Sequence, residues 1–489
     1  MKDFYQHPWL IGILLLWLGF TLRLVGLAQN PLWLDELFSV AFAAGMSPET
    51  IIHIMVSDVH PPLYYIQLHF WMGVVGNSDF ALRFNGVLIG ILTIASLYAV
   101  VRRLVHQDVA KWVAGFLAIS AAAIFYAQQL RMYSLLMLVA IWIWYMLQMF
   151  LTHPHKLRYR IAYLGVMLAF LYSQGAAFLI FFSTTCYALL WLGQDIVQRR
   201  EAFLRWLQYQ FLVGVLYIPW LFLAANMGVS HVQTPTIAAV AQTMQEIFLG
   251  YYPGHAPGVA GSIIILSFVL LFISLFDRAM RGAFLGFGVI PLLAGFVISY
   301  GFRPIWITRS MIFVLPFWLL FMAYSVEYLH KRVLFGKARY LIIGFLIGAL
   351  LTGTLLQQHY PREQWRMETA VKAVTPQVQA GDYVVFPAEI MFWFWGWYTL
   401  PPGSILPRIT TSVISENNIE YRYLANQPLN TLLQPGETYW FIWDAVFPWD
   451  DAEACVQNFS LDETTQINQM MIRHVRVADT AKAPLCLPD

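Results

Sequence analysis

Five arginines, Arg23, Arg83, Arg131, Arg303 and Arg309, lie outside the chain's basic loops, and no lysine ahead of His359 shares that setting. A guanidinium group is permanently charged, planar and able to donate parallel hydrogen bonds. It therefore suits phosphate oxygens and tolerates burial better than an ammonium group. Asp35, Glu36, Asp58 and His60 crowd into the stretch that follows the first apolar segment. A positioned carboxylate accepts the proton of an attacking hydroxyl. Preorganised arginines stabilise the charge gathering on a departing phosphate without a metal. The same four residues also form an oxygen and nitrogen set able to hold a divalent cation, so metal dependence stays open.

Local context decides how each residue is held. Asp35 and Glu36 close Pro31-Leu32-Trp33-Leu34-Asp35-Glu36, where the proline and apolar residues would anchor the segment in a membrane interface. Adjacent carboxylates point in different directions, so one can face a pocket while the other meets a cation. In Asp58-Val59-His60-Pro61-Pro62 each proline fixes its own φ and biases its predecessor towards extended backbone. Arg131 follows the turn Gln128-Gln129 and precedes Tyr133, and Arg303 and Arg309 flank Pro304-Ile305-Trp306-Ile307-Thr308. Any one of these arginines also reads as a lipid-headgroup contact. Arg23, one turn inside the first segment, reads most readily as a snorkelling side chain. Charge at membrane depth is functional by default because burying it is costly, and the set weighs more than its members.

The elements that must position these groups are membrane helices. Charged residues make up 11% of 489 residues and hydrophobic ones 59%, which excludes a soluble enzyme, a nucleic-acid binder and a disordered scaffold. Apolar stretches of near-spanning length fall at 8–28, 80–101, 109–127, 131–151, 160–174, 175–193, 206–225, 259–276, 283–301, 309–329 and 339–357. Basic clusters at Arg102-Arg103, Lys156–Arg160, Arg199–Arg205, Arg278–Arg281 and Lys331–Arg339 mark one set of connections as cytoplasmic. The N-terminus is then cytoplasmic, and the first loop (about 29–79) and the C-terminal part lie outside. Segments 48–57 and 62–76 read as interfacial or re-entrant helices, with Pro48 at a first helical position. Residues 1–28 read as a retained first span, with a cleaved signal peptide as the alternative.

From His359 onward the chain holds 8 basic and 15 acidic residues, against a basic remainder. A helix at about 363–375 and strand-like runs at 382–386 and 438–443 predict an extracytoplasmic α/β domain over 359–489, after a membrane module of 1–358. The cluster Phe392–Tyr398 rests either on the membrane surface or in a core. Cys455 and Cys486 would pair only in an oxidising compartment, and Cys186 packs among helices. The fold class expected is thus a polytopic α-helical membrane protein of about 11 spans with a C-terminal α/β domain.

Four stretches occur in a telling order: Asp35-Glu36, His60-Pro61-Pro62-Leu63-Tyr64-Tyr65, Leu82-Arg83, and Arg131-Met132-Tyr133-Ser134. In that order the sequence resembles glycosyltransferase family 39-like proteins of the GT-C superfamily, the protein O-mannosyltransferases and aminoarabinose transferases among them. The tail, with Trp365-Arg366, Pro376 and Gly381-Asp382, is similar to the extracytoplasmic domain of bacterial members. The resemblance implies a plasma-membrane enzyme that moves a sugar, with inversion, from a polyprenyl-phosphate donor to a glycan, lipid or protein acceptor. It implies Asp35 as the essential acid with Glu36 its neighbour. Arg83 and Arg131, with Arg303 or Arg309, would take phosphate, and Asp58, His60 and Tyr133 would shape the substrate side. Gln129 departs from the acidic residue often found before Arg-x-Tyr, which counts against a second acidic or metal site there. Two rival readings remain: a transporter or flippase for a lipid-linked anion, which predicts polar residues in mid-span, and a non-catalytic envelope-assembly protein.

Overall fold

The structure, a computed structural model, describes residues 8–30, 32–43, 47–56, 60–223, 234–250, 278–331, 338–359, 367–386, 392, 395, 413–416, 419–423, 436–444, 461–467 and 470–476. The chain forms two compact units from interleaved stretches. One comprises Met1–Leu27, Glu49–Gln67 and Phe80–Tyr360, the other Ala28–Pro48, Leu68–Asp79 and Pro361–Asp489.

The larger unit is helical. It is built from α1 (Pro8–Leu24), α3 (Pro48–Met55), the start of α4 (Leu63–Val75), α5 (Asp79–Leu104), α6 (Gln107–Ile119), α7 (Ala121–Ala127) and α8 (Tyr133–Thr152). It continues through α9 (Leu157–Leu171), α10 (Leu179–Leu192), α11 (Ile196–Leu223), α12 (Ile237–Leu249), α13 (Arg278–Ala283), α14 (Ile290–Gly301), α15 (Leu315–Lys331) and α16 (Ala338–His359). Helices occupy ten of the eleven expected spans, and the stretch 259–276 lies outside the described residues. Among the described residues, six segments are long and apolar enough to cross a membrane: 79–104, 133–152, 175–192, 196–223, 280–301 and 308–328. This is a multi-pass membrane protein. The expected interfacial segments 48–57 and 62–76 are the helices α3 and α4.

Departures from straight spans have local causes. The expected span 109–127 is broken, with α6 and α7 meeting at 59°. Ser120 leaves the helix (φ −69°, ψ 122°) and its hydroxyl accepts the Ala123 N–H at 3.4 Å, capping α7. Between α13 and α14, Phe284–Val289 form a π-turn, with the Ile290 N–H reaching Leu285 O. Pro291 lacks an N–H and would crowd the preceding turn, and the wider register relieves that. Gly288, whose carbonyl accepts from Trp318 Nε1 at 2.8 Å, lets α15 approach there. Cys186 is a half-buried free thiol on α10.

The smaller unit contains α2 (Leu34–Ala43), the end of α4, α17 (Met367–Val374) and a six-stranded sheet. Its strands are β1 (Tyr383–Phe386), β2 (Val413–Glu416), β3 (Ile419–Tyr423), β4 (Thr438–Asp444), β5 (Leu461–Ile467) and β6 (Met470–Arg476). They run in the order β2-β3-β1-β4-β6-β5, with β1 parallel to β3 and β4 and the other pairs antiparallel. Helix and strands follow the expected α/β pattern. Central β1 and β4 are rich in aromatic and β-branched residues, as strands covered on both faces require. Of the aromatic cluster at 392–398, Phe392 and Trp395 are buried against Phe386, with ring centroids 6.0 and 5.7 Å away. For those two, core packing is the outcome. Trp365, Arg366, Cys455 and Cys486 lie outside the described residues.

Candidate active site

In the larger unit, Arg131 is the centre of a small cluster. It sits in the turn between α7 and α8, only 4% exposed. Its Nη2 lies 3.1 Å from His60 Nε2, and its Nη1 donates to the Tyr65 hydroxyl at 3.4 Å. Arginine has no acceptor, so His60 Nε2 must carry a lone pair, and the ring proton then resides on Nδ1. The contact is incompatible with an imidazolium. His60 and Tyr65 also meet edge-to-face at 6.4 Å. The prolines explain how His60 is presented. Pro61 and Pro62 offer no N–H, and the first free amide of α4, Leu63 N–H, is held by Tyr172 O at 3.0 Å.

Arg83, in the second turn of α5, is buried and donates from Nη1 to Leu27 O at 3.0 Å. Two residues on, Asn85 donates to Gln67 Oε1 of α4 at 3.2 Å. Tyr133 is buried, its ring edge-to-face with Tyr126 at 5.0 Å. Arg303 is exposed beyond α14, while Arg309 is half-buried in the 3-10 turn Thr308–Val314. Arg23 corrects its expected role. It is 1% exposed rather than snorkelling, and donates to Gly19 O (3.0 Å), Ala118 O (3.1 Å) and Leu117 O (3.1 Å). The bend after α6 strips the Leu117 and Ala118 carbonyls of helical donors, so the arginine finds partners inside the protein.

In the smaller unit, Asp35 and Glu36 open α2. Trp33 is the residue before the helix, and Glu36 Oε2 accepts its backbone N–H at 3.2 Å, the reciprocal half of a capping box. Glu36 is buried, and the positive end of the helix favours its charge there. Asp35 remains half-buried, with its carbonyl, not its carboxylate, accepting from Ser39 Oγ at 3.0 Å. The two acids are thus placed differently: one oxygen of Glu36 holds the helix start, and Asp35 is the less buried residue of the pair.

Asp58 lies outside the described residues. Among those described, no group of three or more His, Cys, Asp or Glu is placed to hold a metal ion. The Nε2 of His60 is already engaged by Arg131.

Comparison with known proteins bears on the stretch that carries these residues and on the fold. Residues 59–222, which include His60, Arg83, Arg131 and Tyr133, match the family model described as dolichyl-phosphate-mannose-protein mannosyltransferase. The fold is similar to the crystal structure of ArnT from Cupriavidus metallidurans in the apo state, at TM-score 0.60 and 12% identity over 94% of this chain and 97% of that one. At that identity the likeness is one of fold. The same enzyme bound to undecaprenyl phosphate aligns at TM-score 0.59 and 13% identity, over 98% and 99% of the two chains. No curated protein sequence matches the chain.

Sequence reasoning missed three residues. Tyr65 stood inside a quoted motif, and its hydroxyl is the second partner of Arg131. Gln128 donates from Nε2 to both Arg23 O (3.1 Å) and Val25 O (2.7 Å), a reach no local pattern announces. Glu246 on α12 is buried, and its Oε1 accepts from Gln242 at 2.9 Å. Burial raises its carboxyl pKa above the ordinary range, while hydrogen bonds from Gln242 and Thr308 and the charge of Arg309 oppose that. A lone glutamate in an amphipathic helix gave no signal.

Proposed function

We propose that the protein is an inverting glycosyltransferase that moves a sugar from a polyprenyl-phosphate donor to an acceptor hydroxyl at the outer face of the membrane. The observation that carries this is the Arg131–His60–Tyr65 contact, made by residues that all fall within the stretch matching the mannosyltransferase family. The likeness to a structure holding undecaprenyl phosphate supports a donor of that lipid class.

In the reaction, the acceptor oxygen forms a bond to the anomeric carbon from the face opposite the phosphate. The bond from that carbon to the phosphate oxygen breaks, its electron pair goes to the lipid phosphate, and the configuration inverts. Asp35 accepts the proton of the acceptor hydroxyl, and Glu36 holds the helix turn from which Asp35 projects. Arg83 and Arg131 stabilise the charge that grows on the phosphate, with Arg303 and Arg309 as further anion contacts. His60 and Tyr65 fix the Arg131 guanidinium, so its hydrogen-bonding edge is oriented before substrate arrives. Asp58 and Tyr133 border the sugar or acceptor. This scheme places 1–358 as the catalytic module and puts the N-terminus in the cytoplasm. The 359–489 domain then faces outside. It needs no metal, because the guanidinium groups carry the electrostatic load.

The test is to purify the wild type and Asp35→Asn and compare two properties. Native mass spectrometry should show both retaining undecaprenyl phosphate, and glycan transfer should fall by about 100-fold or more in the variant, the scale of lost general-base catalysis. A flippase or assembly protein would retain the lipid but show the same glycan output with Asn at 35. Retention of ordinary phospholipids only would remove the donor class.

A further inference from the structure

We infer that Gln128 is a positioning residue: with Arg83 it clamps the carbonyls at the end of α1 and so sets the path of the chain that leads on to Asp35. The inference rests on the role assigned above to Asp35. The last carbonyls of a helix have no donors within it. Here Arg23 O and Val25 O are both taken by the single amide of Gln128, and Leu27 O by Arg83. Gly26 lies between them at φ 73°, a conformation that turns the chain and favours glycine. Three alternate carbonyls across the exit from α1 are thus held by side chains from α5 and from the end of α7.

The clamp is itself anchored. Gln128 caps α7, its own N–H reaching Ile124 O (3.0 Å) and Phe125 O (3.2 Å), so its backbone is fixed while its buried side chain spans to α1. Arg23, on the last turn of α1, ties that helix to the end of α6 through Leu117 O and Ala118 O. Helix α5 closes the junction with two glycines one turn apart. A Cβ on Gly86 would come within 2.5 Å of Ala127 O, and one on Gly90 within 2.9 Å of Arg23 Nε. Small residues in that spacing let helices approach closely. The chemistry also selects the side chain. Two carbonyl acceptors require a donor, and a neutral amide supplies both bonds without adding charge.

Gln128→Met keeps the length of the side chain and removes its donors. Hydrogen exchange of amides 25–36 should accelerate by about fivefold or more while α8 stays protected, since local opening need not follow global unfolding. Undecaprenyl phosphate retention should stay within about twofold, and glycan turnover should fall by about tenfold or more, as a misplaced catalytic group predicts. Unchanged exchange at 25–36, or loosening there with unchanged turnover, would overturn the inference. Faster exchange throughout α8 would overturn it too, by making Gln128 a general packing residue. Should the Met variant not fold, Gln128→Asn keeps the amide one methylene short, and the same readouts apply. If the wild type neither retains undecaprenyl phosphate nor transfers sugar, the functional reading fails, and exchange alone then decides the clamp.

Discussion

Two polar knots lie inside the helical unit and are built from different chemistry. Around Gln210, neutral groups tie α9, α10 and α11 together: Tyr163 donates to Gln210 Oε1 at 2.6 Å, and Gln210 donates to Thr184 Oγ1 at 3.1 Å. Thr184 passes its own proton to Ile180 O at 2.9 Å. The knot is closed, and nothing in it carries charge. In the other set, Arg23 on α1, Arg83 on α5 and Arg131 in the turn between α7 and α8, the donors are guanidinium groups, and the partners described for them are carbonyls, a phenol and an imidazole. Interhelical hydrogen bonds in a membrane contribute about 0.6–2 kcal/mol each, enough to explain the neutral knot as glue. A charged side chain costs about 2.5–3.5 kcal/mol to insert at mid-span, so stability alone does not account for a set of buried arginines. The contrast teaches that buried polarity becomes a functional signal when the groups are permanent ions.

The largest way to break that contrast is to remove charge from one knot and hydrogen bonds from the other. Arg131→Ala should lower glycan turnover by about 100-fold or more, the usual effect of deleting one preorganised donor to a developing anion. Arg131→Lys should recover only part, since a point charge cannot reach His60 and Tyr65 together. Gln210→Leu should leave turnover within about twofold while costing about 1–3 kcal/mol of stability, because it strands the Tyr163 hydroxyl. Equal turnover losses from Gln210→Leu and Arg131→Ala would erase the distinction.

A smaller effect tests the imidazole. His60 meets Arg131 only while Nε2 is unprotonated, so acidification should replace an accepting contact with repulsion between two cations. Turnover should fall on the acidic side by about tenfold, a modest share of what full loss of the arginine would cost. In His60→Gln, whose amide oxygen accepts at every pH, that acidic limb should flatten. Chelation should leave turnover unchanged in both. A wild type and variant with superimposable acidic limbs would assign the titration elsewhere.

Much of this was legible in the sequence, and the rest has physical reasons for having been hidden. Spans are visible because every residue of a lipid-facing helix must be apolar, and the arginine set stood out against that background. The tail strands were visible in the β-branched and aromatic runs at 382–386 and 438–443. The bend at Ser120 was not, since neither glycine nor proline marks it, and only tertiary bonds to Leu117 and Ala118 make it affordable. Once the bend is missed, Arg23 has no visible partner and reads as a headgroup contact. The division of labour between Asp35 and Glu36 was present in the spacing from Trp33 to Glu36, but appears only when the helix start is known. Interleaving of the compact units depends on contacts between segments hundreds of residues apart, which no local pattern records.

The finest test concerns Glu246, a buried carboxyl among hydroxyl and amide groups with the charge of Arg309 acting on it. Its helix α12 is capped by Thr236, and Thr243 links it to Thr308 at 2.9 Å and to Trp306 Nε1 at 3.0 Å. Burial raises the carboxyl pKa, so the packed helix prefers the protonated acid. For a raised carboxylate, the stabilising contribution is complete below the ordinary pKa and is lost as pH rises through the raised one. Protection of amides 237–249, corrected for intrinsic exchange, should therefore weaken as the solution goes from acidic to neutral. Glu246→Gln imitates the protonated form and should keep its protection across that range, with no change in turnover. If wild-type protection instead holds at neutral pH and the Gln variant is the weaker, Arg309 and the hydroxyls hold the carboxylate ionised, and α12 is docked by charge like the arginine knot; an equal loss in both proteins would assign the pH dependence to another group.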